Sequence, residues 1–148
     1  MTQSQKSLVG YAAVMLGAVA VVAVVMRLTQ GEVGFCRETL GNLVNDRQSA
    51  QRQIDWEHLQ AVGLDVGKTY TQLPDEPARA QYRKAFVDNF AMGFRRVEGN
   101  LAAFRNWRVQ TRDGSRIVVA AEYEAKHKTL LFSLPAVGDK KIEAIQWQ

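Results

Sequence analysis

The chain is poor in the residues that staple small folds or carry chemistry. Its 148 residues include one cysteine, Cys36, and two histidines, His58 and His127. A lone cysteine excludes an intramolecular disulfide, so the fold must stand on its hydrophobic core. With two distant histidines and no Cys or carboxylate set at ligand spacing, no metal is expected, and no other cofactor. Val33-Gly34-Phe35 stands where a lipoprotein cleavage motif would precede Cys36, so that residue is expected as a small buried hydrophobe near a helix start. No serine sits in a nucleophile elbow, and the chain has no internal repeat or low-complexity tract. Gly63-Leu64-Asp65-Val66-Gly67-Lys68-Thr69 is one residue short of a phosphate-binding loop, with no strand before it and no good helix after. It reads as a loop.

Charge is present but mild. Nineteen Lys and Arg against fifteen Asp and Glu leave a formal net charge of +4. All the acids, and every base except Lys6, lie beyond Met26. Such an excess permits an acidic lipid or protein partner without demanding nucleic acid. A hydrophobic share of 47% and a charged share of 23% fit a globular chain rather than a disordered one. The richest basic feature is Arg95, Arg96, Arg105, Arg108, Arg112 and Arg116, interleaved with Phe104 and Trp107. A solvated strand face is the plain reading. Contact with a protein partner or lipid headgroups comes second, and nucleic acid last.

Leu8 to Met26 is a run of nineteen residues without a charge. As a helix rising ~1.5 Å per residue it would span about 28 Å, close to the hydrocarbon thickness of a bilayer. A single-pass transmembrane helix over 8–26 is therefore expected, with a buried core helix and a signal peptide cleaved after Ala18-Val19-Ala20 as the alternatives. Lys6 and the α-amino group favour a cytoplasmic N-terminus, which would place the following domain in the periplasm. Gly10, Ala13, Gly17 and Ala20 fall on one helical face, suited to close packing against other membrane helices.

After a tail at 1–7, the span at 8–26 and a linker at 27–34, one α+β domain is expected over 35–148. Phe35, Leu40, Leu43 and Val44 recur at helical spacing, giving a first helix to about Gln53. Ile54 to Val62 reads as a short second helix capped by Asp55 and ended by Gly63. Asp75-Glu76-Pro77 starts a third, whose Tyr82, Phe86, Phe90, Phe94 and Val97 form an aromatic stripe, with Gly99 as its C-terminal stop. Beyond Asn100 the period changes to two. Strands are expected around Trp107–Thr111, Ile117–Tyr123, Thr129–Leu134 and Ile142–Gln148, the first pair joined by a type I′ turn at Asp113-Gly114.

Helices followed by an antiparallel sheet ending in Lys141-Ile142-Glu143-Ala144-Ile145-Gln146-Trp147 resemble the nuclear transport factor 2-like (cystatin-like cone) superfamily. The Ile54-Asp55-Trp56 turn and Asn106-Trp107-Arg108-Val109 resemble its membrane-anchored bacterial members. The resemblance covers Phe35 to Gln148 and implies three helices and a curved sheet of about four strands. Steroid isomerases and dehydratases of that superfamily use an Asp or His inside the cone, and here Asp55, His58 and Tyr70 are the candidates. Other members, longer than this chain, assemble type IV secretion systems at the bacterial inner membrane.

Two functions follow as expectations. The first is a non-catalytic, single-pass accessory or scaffold subunit docked on a larger membrane protein assembly, with homodimerisation through the sheet compatible. The second is a small-ligand-binding or cofactor-free enzymatic cone.

Overall fold

A computed structural model describes Gly17–Val22 and residues 31–148. The chain divides into two units between Gly31 and Glu32. In the first unit Gly17–Val22 are helical, and Gly17 has open space where a Cβ would stand. Gly10, Ala13 and most of the expected 8–26 span lie outside the described residues. Among the described residues no helix is long and apolar enough to cross a membrane, which overturns the expectation of a membrane-spanning helix as part of this fold.

The second unit is α+β around a mixed sheet. Residues 31–44 form α1, and a 3-10 turn follows at Gln48–Gln53. The expected first helix therefore stops nine residues early. Its apolar stripe ends at Val44, and Asp46 then takes a left-handed φ of 56°. Arg47 N–H donates to the Asn42 carbonyl at 2.8 Å and Asp46 N–H to that of Leu43 at 3.3 Å. That pair of bonds closes a Schellman motif.

The expected second helix is not there. Ile54 bridges to Ile142, residues 56–58 make a turn, and β1 (Gln60–Ala61) turns tightly into β2 (Leu64–Asp65). Both residues of that turn, Val62 and Gly63, have positive φ, as a two-residue type I′ hairpin requires. Helix α2 (Val66–Thr71) follows, capped by the Asp65 carboxylate on Lys68 N–H. Helix α3 (Glu76–Arg96) starts as its sequence dictates, with Asp75 capping Ala78 N–H and proline in the first turn. It ends on a second Schellman motif, where the left-handed residue is Glu98 (φ 54°) rather than Gly99.

Four longer strands complete the sheet: β3 (Phe104–Arg112), β4 (Arg116–Tyr123), β5 (Lys128–Pro135) and β6 (Ala144–Trp147). The order is β2-β1-β6-β5-β4-β3. The four-strand antiparallel expectation is corrected to six strands, because Gln60 pairs in parallel with Ala144. Asp113-Gly114 is not a type I′ turn either. The Asp113 carboxylate instead accepts from the N–H groups of Ser115 and Arg116 at 2.8 Å each, stabilising a longer loop.

Register divides the sheet into two faces. Ile117, Val119, Phe132, Leu134 and Ile145 are buried against Leu40 and Leu43 of α1. Each fully buried side chain of this size stabilises the fold by about 1.5–3 kcal/mol. Trp107 stacks on Phe132 at 5.8 Å, and the Arg37 guanidinium lies over the indole at 5.4 Å.

Candidate functional site

Asp55 and His58 do converge. His58 Nδ1 lies 3.0 Å from an Asp55 carboxylate oxygen, across the turn that replaced the expected helix. The Asp55 hydrogen bond and charge hold the His58 imidazolium above its ordinary pKa. His58 is on the surface, where with Glu57, Lys68, Arg116, Ser133 and Glu143 it borders an open cleft of about 550 Å³. Charges of both signs line this cleft.

Tyr70 does not line it. Its ring is buried, tilted against Trp56 at 5.9 Å, and its hydroxyl accepts a 2.6 Å hydrogen bond from Arg83. Glu76 holds the same guanidinium. Tyr70 is thus a packing residue with its polar end tied to α3, apart from the Asp55–His58 pair.

The six arginines are not one patch. Arg95 and Arg96 occupy the last turn of α3, where cations suit the helix dipole. Arg105 pairs with Glu124 and Arg108 with Glu122, on the sheet face away from the core. Arg112 points the other way, toward α1, with its guanidinium 3.2 Å from the carboxylate of buried Glu32. Arg116 opens β4 and borders the polar cleft. On β3, the outermost strand, the arginines and two register shifts guard an open edge against stray pairing.

One apolar surface was not foreseen. The β1–β2 hairpin, α2 and α3 enclose a groove of about 480 Å³ lined by Val62, Leu64, Val66, Tyr82, Phe86 and Phe90, among others. Leu64 is 68% exposed and Val62 is 51% exposed. Val62 also holds φ at 51°, a conformation that a β-branched side chain resists. The missed signal is the Val-Gly dipeptide between Ala61 and Leu64, a hairpin turn written with valine where asparagine is usual.

No protein-family model, curated protein or solved structure matches the chain. The nuclear transport factor 2-like resemblance therefore stays an expectation from the sequence, drawn from element order and the terminal-strand pattern.

Proposed function

We propose that residues 32–148 are a non-catalytic docking domain, an accessory or scaffold subunit of a larger protein assembly. The observation that carries this reading is the hairpin groove. Two exposed aliphatic side chains, one of them on strained backbone, stand beside the half-buried Phe86 and Phe90. Exposed apolar side chains gathered in a groove, rather than scattered singly, mark contact surfaces. The occupant is an apolar side-chain ridge of a partner protein. Membrane association of that assembly is part of the proposal.

Purification of the full chain from its native membranes in mild detergent, followed by mass spectrometry, tests the reading. Integral membrane proteins in stoichiometric amounts are expected, and Leu64→Asp should lose them while keeping the native circular dichroism. Recovery of the native chain alone, or a partner that survives Leu64→Asp, overturns it.

A second reading, binding of a small polar ligand, is favoured by the Asp55–His58 pair on the mixed-charge cleft. Ligand-dependent chemical shifts at His58 that vanish in Asp55→Asn would support it.

A further inference from the structure

The cleft beside the Asp55–His58 pair has a floor and two walls. Its floor is one register row of the sheet, Gln60 of β1, Ala144 of β6 and Ser133 of β5. Alanine and serine are short, so a hollow opens between their longer neighbours. One wall is the turn at 56–58 with α2, joined where the Glu57 main chain meets Gly67, and it carries Glu57, His58 and Lys68. Glu143 enters β6 beside that wall, its carbonyl accepting from Gln60 N–H at 2.9 Å. The other wall is Arg116, the first residue of β4. Strand β4 lies three strands from β1, ~14 Å at ~4.8 Å per strand.

Some charges of the cleft are committed within the fold. Asp55 holds His58 at 3.0 Å, and Asp65 caps α2 through the Lys68 N–H at 3.0 Å. Asp113, which adjoins Arg116, turns its carboxylate to the N–H groups of Ser115 and Arg116. Four charges remain. Among the described residues Glu57, Glu143, Lys68 and Arg116 form no ion pair, with one another or with any other side chain. The α2 side is acidic on balance and the β4 side basic. A polyanion would meet Glu57 and Glu143, and a polycation would meet Lys68 and Arg116, so both are disfavoured. A ligand with one charge of each sign at its two ends is matched.

We propose that this cleft binds a short peptide with free termini, its carboxylate on the Arg116 guanidinium and its ammonium between Glu57 and Glu143. The guanidinium fork suits a terminal carboxylate, which it grips through two parallel hydrogen bonds. Three extended residues at ~3.4 Å each cover about 10 Å of the distance between the walls, and the Arg116 side chain closes the rest. Gln60 and Ser133 on the floor offer hydrogen-bonding groups to the peptide units. The assignment rests on the reading of this cleft as a small-ligand site and names the ligand class.

The probe is alanine tripeptide, added to the full chain in non-ionic detergent and followed by amide chemical shifts. Saturable shifts are expected at His58, Ser133 and Ala144. The N-acetylated and C-amidated tripeptides, each with one charge, should bind at least tenfold more weakly. Arg116→Gln should make the free acid and the amide bind alike. Glu57→Gln combined with Glu143→Gln should do the same for the free amine and its acetyl form. These side chains lie on the cleft rim, so circular dichroism should stay native in every variant. A singly charged analogue that binds as tightly as the zwitterion overturns the assignment and leaves the small-ligand reading standing. So does an Arg116→Gln chain that still prefers the acid. If no tripeptide shifts a resonance while a mixture of small polar metabolites moves His58, the assignment falls and the reading holds. If neither moves it, both fall.

Discussion

Gly67 lies against the main chain of Glu57, so close that a Cβ there would stand 2.8 Å from the Glu57 carbonyl carbon and nearer still to its oxygen. The contact seats α2 on the turn that carries Asp55 and His58. Backbone on both sides leaves no flexible atom to give way. Gly67→Ala is expected to cost about 3 kcal/mol, the upper part of the usual overpacking range. Gly93, exposed within α3 with nothing within 4 Å of its Cβ position, is the contrast. Gly93→Ala should gain about 0.5–1 kcal/mol. Guanidinium unfolding midpoints check both, and equal effects would refute the argument.

Tyr70→Phe removes the acceptor of the 2.6 Å bond from Arg83 while keeping the ring between Trp56 and Tyr82. Arg83 keeps Glu76 and some access to water, so a loss of about 1–2 kcal/mol is expected rather than the full cost of a stranded charge. Thermal unfolding measures it. A neutral substitution would mean that the hydroxyl does not secure α3 to α2.

The Asp55–His58 contact makes a prediction about pH. His58 binds its proton more tightly in the folded chain than in the unfolded one, through the Asp55 hydrogen bond and charge. The stabilisation is therefore fully present below the ordinary histidine value of about 6.5 and fades as pH rises through the higher folded value. The imidazole is solvent-exposed, so the effect on stability is small. NMR titration should place the His58 midpoint above the ordinary histidine value of about 6.5, and Asp55→Asn should bring it down. An Asp55→Asn midpoint equal to the native one would remove the pair as its cause.

Cys36 is fully buried on α1, and burial pushes its thiol far above the ordinary range. No reaction with a thiol reagent is expected from the native chain, and one thiol per chain should react in guanidinium. Labelling at successive denaturant concentrations should follow the circular dichroism transition. Fast native labelling would show that α1 opens on its own.

What was legible in the sequence was local. The start of α3 could be read because Asp75 and Pro77 act within one helical turn. Strands β4 and β5 could be read because Ile117, Val119, Ala121 and Tyr123, and then Leu130, Phe132 and Leu134, recur at every second position and are buried. The stretch from Ile54 to Val62 was misread as helix because its true partners are remote. Ala61 is buried where it pairs with Ile145 of β6, and no local pattern announces a strand two residues long. Both helix ends were blurred for a different reason. The left-handed caps are Asp46 and Glu98, acidic residues in places where glycine is the usual marker. For the candidate site, Asp55 and His58 meet because they stand three residues apart across a turn, a local contact. Tyr70 was misassigned because its partner, Arg83, lies on the next helix. The hairpin groove needs α3 and β1–β2 to meet in space, which no spacing rule encodes.

The pairing of Gln60 with Ala144 also sets an order of events. Strand β6, the last in sequence, sits between β1 and β5 in the sheet. A ribosome delivering the chain N-terminus first would release the β1–β2 hairpin and the β3–β4–β5 meander well before the strand that joins them. Until then β1 and β5 each present an open edge, and the hairpin adds its exposed Val62 and Leu64. The nascent domain is therefore most prone to mispairing in the interval before residues 144–147 dock, the cost of closing a sheet through its last strand.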